Sequence, residues 1–181
     1  MSIEIQQNIS LAPHTIYKIG GPARFWAEVW NAEELKAALA WAVENRHPFF
    51  ILGAGSNILV SDAGFDGLVI KVEVGGVELS EDATNPGSVI LSVGAGENWD
   101  ATVAYAVEHG LYGLENLSAI PGSVGAAPVQ NIGAYGSEVS SVIQSVRALD
   151  TKTMQVVELS NADCDFSYRN RSLVGYGLTR D

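Results

Sequence analysis

Apolar positions in this chain recur with two different periods, and the switches between them predict most of its elements. Phe25 to Trp30 is a short apolar run that reads as a strand. Asn31 follows as an N-cap with Glu34 three residues on, an Asn-x-x-Glu form of the capping box. Leu35, Ala38, Leu39, Ala42 and Val43 then share one helical face. Pro48 closes the exit turn, and Phe49-Phe50-Ile51-Leu52 reads as a buried strand, so the order predicts a βαβ unit with a parallel pair. Gly67 to Val72 is another strand, and Ser88 to Val93 alternates as a strand does. Asn98 caps a second helix on which Trp99, Val103, Ala106 and Val107 share a face, with Gly110 ending it. Val142 to Leu149 and Met154 to Leu159 read as two strands joined by residues 150–153, and Ser160 to Asp163 starts a short helical turn. Three stretches give less. Ile3 to Ala12 reads as a polar lead-in, Thr15 to Ala23 as a strand-like alternation broken by Gly20-Gly21-Pro22, and Glu73 to Pro86 as a polar hairpin tip.

Two further stretches fit neither period. Leu117 to Gly136, LSAIPGSVGAAPVQNIGAYG, carries no charge and is punctuated by Pro121, Pro128 and several glycines. A long structureless stretch in a compact domain is usually functional or disordered. Disordered segments are charged and poor in aliphatics, whereas this one holds Leu117, Ile120, Val124, Val129 and Ile132. It reads as an ordered loop whose backbone lines a ligand, since glycine lets backbone come close. The other stretch, Gly53-Ala54-Gly55-Ser56-Asn57, runs straight out of the buried strand. Successive N–H groups there suit a pyrophosphate. The same residues suit a tight strand-to-strand turn, and no helical pattern or nucleotide-binding glycine signature follows to decide between the two.

Composition narrows the classes. The chain has 181 residues, enough for one large domain or two small ones. A formal charge of −11 argues against nucleic acid, which requires clustered Lys and Arg, but leaves a phosphate-bearing ligand open because backbone N–H groups can hold anions. Cys164 is the sole cysteine, which rules out an internal disulfide, fits a reducing cytosol and reads as a buried small hydrophobe. The amino terminus has no basic, apolar signal pattern, and no window approaches the roughly 20 apolar residues of a membrane span. A soluble, cytoplasmic protein without membrane contact is expected. His14, His47 and His109 read as structural or solvated, and no pair has metal-ligand spacing, so no metal is expected.

Cys164-Asp165-Phe166-Ser167-Tyr168-Arg169-Asn170-Arg171-Ser172 sets two arginines close together, ordinarily a solvated loop. Beside the earlier stretches it gains a second meaning. IPGSVGAAPVQNIGAYG (Ile120–Gly136) resembles the flavin-binding loop of the UDP-N-acetylenolpyruvoylglucosamine reductases (MurB), enzymes of peptidoglycan precursor synthesis and so of cell-wall biogenesis. LGAGSNIL (Leu52–Leu59) is similar to that family's pyrophosphate loop. Thr15 to Ala23 resembles its T-x-x-x-IGGPA stretch, which helps shape the flavin site. Phe166-Ser167-Tyr168-Arg169 matches the family's F-x before a Y-R-x-S motif that carries its catalytic arginine. The match departs at Arg171, which occupies the family's serine place, with Ser172 one position later.

The resemblance implies an α+β fold of two subdomains, of the MurB and vanillyl-alcohol-oxidase FAD-binding type. One would be a small βαβ unit at residues 13–70, the other a mixed or antiparallel sheet with helices at 71–181. FAD would lie between them. Its pyrophosphate would sit at Gly53, Ala54, Gly55, Ser56, Asn57 and Ile58. Its isoalloxazine would lie near Pro121, Gly122, Ser123, Gly125, Ala126, Asn131, Gly133, Ala134 and Tyr135. In the family NADPH reduces the flavin, which passes hydride to the enolpyruvyl group of a UDP-sugar ether. The resemblance gives Arg169 the task of stabilising charge on the substrate carboxylate, with Tyr168 beside it at the substrate. It covers about half of a typical member, and the family's substrate-binding domain, with its serine proton donor and glutamate, has no counterpart here. A fragment or shortened relative is therefore expected, inactive alone and completed by the missing half or a partner chain. Two other readings stay open: a non-catalytic flavin-binding module, and an FAD-dependent oxidase of sugars or hydroxy acids.

Overall fold

The computed structural model describes residues 3–83 and 85–166. Four strands form its main sheet: β1 (Gln6–Ser10), β2 (Pro22–Val29), β3 (Phe49–Leu52) and β4 (Phe65–Val72), in the order β1-β2-β4-β3. β1 is antiparallel to β2, while β2, β4 and β3 run parallel. The strands flanking the first helix are parallel, as strand–helix–strand order requires, but they are not neighbours, because β4 inserts between them. The reason lies in β4 itself. Leu68, Val69 and Ile70 are consecutive and all buried, which needs a cover on both faces and so a central position. β1 corrects the reading of its stretch as a polar lead-in. Its exposed residues gave no apolar alternation, and main-chain pairing with β2 makes it an edge strand.

Helix α1 (Ala32–Glu44) covers one face of this sheet. Asn31 Oδ1 accepts from the Glu34 N–H at 2.9 Å, and Glu34 Oε2 accepts from the Trp30 N–H at 2.8 Å, so the predicted cap forms with both partners. Ala38, Leu39 and Ala42 bury against Ala27, Val29, Leu68 and Ile70. Val43, expected on that face, is 69 % exposed. It lies eight residues after Leu35, roughly 80° further round the helix, which puts it at the stripe's edge. The opposite face packs Trp26, Leu52 and Val69 with Leu11 and Ala23.

The second half is built from helix α2 (Trp99–Glu108) and antiparallel two-stranded ladders: β5 (Val77–Glu81) with β6 (Val89–Val93), β7 (Gly133–Ala134) with β8 (Ser137–Glu138), and β9 (Ser145–Asp150) with β10 (Gln155–Ser160). β5 corrects the loop reading of Glu73 to Pro86, since its mostly exposed side chains hid a strand that main-chain pairing makes regular. Asn98 caps α2 through Ala101 N–H. Trp99, Val103 and Ala106 are buried, whereas Val107 is 51 % exposed, at the same edge position as Val43 in α1. Leu149 and Met154, from the β9–β10 hairpin, reach back to pack on the α1-side core of the main sheet.

Ile70 fills the centre of that core, so Ile70→Ala is expected to destabilise the protein by about 2–5 kcal/mol. Val107→Ala should stay within about 0.5 kcal/mol. Urea unfolding midpoints of the two variants check this.

Candidate functional site

β3, β4 and β2 end together, with Leu52 opposite Lys71 and Val29 opposite Val72. Ligands of open parallel sheets bind outside such carboxyl ends. Gly53 to Ile58 leave β3 at this end. Among the described residues, no backbone N–H from Gly53 to Asn57 donates to a protein acceptor, and Ser56 and Asn57 form a turn. The loop is held instead by its carbonyls. Gly53 O accepts from Lys71 Nζ at 2.6 Å, and Gly55 O from the Ile16 N–H at 3.1 Å. Gly55 has φ +66°, and a Cβ there would stand 2.0 Å from His14 O, so no other residue fits without moving backbone. Ile58 turns inward to pack on the core around Trp26.

The loop from Leu117 to Gly136 is ordered by the first turn of α2. Trp99 Nε1 donates to Leu117 O at 2.8 Å, and the Trp99 N–H to Gly122 O at 3.1 Å. Asp100 Oδ1 accepts from Ser118 Oγ at 2.8 Å and from the Ala119 N–H at 2.6 Å, holding Ala119 at φ +62°. The Ala119 N–H first, and the Ser118 hydroxyl second, keep the Asp100 carboxyl below the usual aspartate value of 3.8. Residues 94–98 back this loop through Gly125 N–H to Ala95 O and Val124 N–H to Glu97 O, each 2.9 Å. A Cβ on Gly125 would stand 2.7 Å from that of Ala95. Sequence reasoning gave residues 94–98 no part in the site. The signal was present, because Gly94-Ala95-Gly96-Glu97-Asn98 repeats the Gly-Ala-Gly-x-Asn pattern of residues 53–57 after another strand.

The two loops meet. A Cβ on Gly53 would lie 2.5 Å from Ser123 Oγ, Asn57 Nδ2 donates to Gln130 Oε1 at 2.8 Å, and Ser56 faces Pro121, Gly122 and Ser123 across a pocket of about 20 Å³. Gly133, Ala134 and Tyr135 stand apart on the β7–β8 hairpin, where Tyr135 is 90 % exposed in a two-residue turn with φ +52°, followed by Gly136 at +82°. Such a turn normally takes Asn-Gly. Asn131 is buried in the left-handed conformation, and its side chain is engaged internally, donating to Glu138 Oε2 at 2.7 Å and accepting from the Ser140 N–H at 3.1 Å. Tyr168 and Arg169 lie outside the described residues. The His14 ring packs tilted against Trp26, with centroids 4.3 Å apart, and burial, followed by Lys71, pushes its pKa down. Cys164 is buried, which pushes its thiol up. Among the described residues no cluster of His, Cys, Asp and Glu could hold a metal ion, and no helix is long and apolar enough to cross a membrane.

Closely approaching glycine backbone, N–H groups at residues 53–57 without protein acceptors, and no carboxylate in either loop suit an anionic, flat ligand. The model of a family described as FAD binding domain matches residues 23–160. The chain belongs to the FAD-binding domain family. The UDP-N-acetylenolpyruvoylglucosamine reductase of Pseudomonas fluorescens is 39 % identical over 170 residues, 94 % of this chain and 49 % of the relative. That of Streptomyces coelicolor is 44 % identical over 160 residues, 88 % of this chain and 40 % of the relative. This FAD-binding domain thus spans about half the length of the curated relatives it matches. Among solved structures, MurB from Thermus caldophilus superposes with a TM-score of 0.69 at 30 % identity, over 93 % of this chain and 56 % of that one. A VAO-type flavoprotein from Myceliophthora thermophila superposes with a TM-score of 0.60 at 14 % identity, over 80 % of this chain and 28 % of that one, which shows a shared fold. The α+β fold expected from the sequence is the one these FAD-binding domains have.

Folding lowers the Asp100 pKa, so its contribution is complete above the unfolded value and is lost as pH falls through the folded one. Below about pH 4 the urea midpoint of the parent should fall more steeply than that of Asp100→Ala. Equal slopes would show that the carboxylate does not clamp the loop.

Proposed function

We propose that this chain is the FAD-binding part of a UDP-N-acetylenolpyruvoylglucosamine reductase acting in the cytoplasm. The observation that carries the reading is the run of N–H groups from Gly53 to Asn57 without a protein acceptor, set against the glycine-rich loop at the carboxyl end of a parallel sheet. Those N–H groups receive the pyrophosphate. Pro121, Gly122, Ser123, Gly125 and Ala126 line the isoalloxazine with their backbone, and Gly133, Ala134 and Tyr135 border it. Asn131 helps by fixing the hairpin's entry, given its internal bonds. Residues 13–70 and 71–181 are the two subdomains that enclose the cofactor.

When bound, FAD supplies a two-electron carrier between NADPH and the enolpyruvyl ether of a UDP-sugar. The chain's own chemical contribution is Arg169. Hydride addition to a conjugated carboxylate builds charge on its oxygens, and a guanidinium, always charged and able to hold both, stabilises it. Tyr168, its neighbour in sequence, is assigned to the substrate on the family motif alone. Identities of 39–44 % to named reductases, against 14 % to the VAO-type flavoprotein, support a reductase over an oxidase. The reductase activity belongs to the longer protein that such relatives represent.

Two experiments test this. The purified chain should titrate with FAD and take on a flavin absorbance spectrum. Ser56→Phe, which fills the pocket between the loops without disturbing a left-handed glycine, should weaken FAD at least tenfold while leaving the urea midpoint unchanged. Unchanged affinity would take the flavin away from these loops. Gly55→Val is a poorer probe, because its side chain would strike the His14 carbonyl. In a full-length protein that turns over, Arg169→Lys should slow hydride transfer to substrate on the order of 10²-fold and leave flavin reduction by NADPH nearly unchanged. Equal loss in both half-reactions would remove Arg169 from the chemistry.

A further inference from the structure

Lys71 sits at the carboxyl end of the central strand, directly across from Leu52, the residue before the Gly53–Ile58 loop. Its side chain is only 15 % exposed, an expensive position for an ammonium unless partners compensate. It has two. One is Glu73 Oε1 at 3.2 Å, and the other is Gly53 O at 2.6 Å. The second bond has a geometric consequence. The C=O and N–H of one trans peptide unit point in opposite directions, so a Gly53 carbonyl held on Lys71 turns the Ala54 N–H away from the Lys71 ammonium. A cation on the carbonyl side also polarises that peptide and makes its N–H a stronger donor. We infer that Lys71 is a positioning residue for an anionic ligand, fixing the Gly53–Ala54 peptide so that the loop's leading N–H groups face a diphosphate. This rests on the reading of residues 53–58 as the pyrophosphate loop.

The test is equilibrium titration of the 181-residue chain and its variants with FAD and with riboflavin, which has the same ring system but no phosphates. Lys71→Met should weaken FAD about tenfold or more, as expected for loss of a charge-assisted bond, and leave riboflavin affinity within about twofold. Lys71→Arg, which keeps a cationic donor, should restore most of the FAD affinity. Ala54→Pro deletes the N–H that Lys71 orients and should copy the Lys71→Met loss. The double variant should lose no more than the larger single loss, because both changes act through one N–H. Full FAD affinity in Lys71→Met, with Ser56→Phe impaired, overturns the inference and leaves the loop reading standing. If neither variant is impaired, or the parent binds no FAD, both readings fall. Equal loss of FAD and riboflavin means general damage and also overturns the inference. If Lys71→Met does not fold, Ala54→Pro decides, and full FAD affinity there overturns the inference.

Discussion

The site depends on two stretches of backbone lying closer than side chains permit. Gly53 has Ser123 where its own Cβ would be, Gly125 has Ala95, and Gly55 has the His14 carbonyl. Each glycine removes a methyl-sized obstacle between a strand end and a neighbouring loop. In exchange the chain gains a surface of peptide groups instead of side chains. Such a surface is indifferent to the protein's net charge of −11, because peptide N–H groups present their positive ends whatever surrounds the molecule.

Close contact alone does not order a loop lacking regular structure, and α2 provides the missing order. Its first turn uses an indole, a carboxylate and a main-chain N–H to hold Leu117, Ser118, Ala119 and Gly122. The same helix buries Trp99 and Val103 against Leu117, Ala127 and Ile132. Packing and hydrogen bonding therefore act on the same few residues. Much of the loop that faces the site is also wall for the second core, so its shape is set by hydrophobic burial as well as by glycine.

Both helices and the buried strands were legible because burial leaves a pattern, a continuous apolar run at Leu68, Val69 and Ile70 and a helical stripe at Ala38, Leu39 and Ala42. β1 and β5 were not, since their mostly exposed side chains carry no period and their pairing is a main-chain matter. The position of β4 between β2 and β3 is a long-range choice that local order does not encode. At the site, the glycine loops stood out as departures from any period. Lys71 did not, because a lone lysine ending a strand looks like a solvated cation until Gly53 is placed beside it. Residues 94–98 hid in plain view, their Gly-Ala-Gly-x-Asn repeat being visible but its partner loop not.

The reach of the last hairpin has a consequence for how the molecule is assembled. Ile3 and Ile5 from before the first strand and Leu149 and Met154 from the β9–β10 hairpin complete the same cluster on the α1 side of the main sheet. Contacts of such long sequence separation carry a loop-closure cost before they return any stability, and they slow folding. A chain emerging from the ribosome as far as Gly136 has made β1 to β4 but has no Leu149 or Met154 to complete that cluster. The α1-side cluster of the main sheet is therefore completed only after the β9–β10 hairpin has been synthesised.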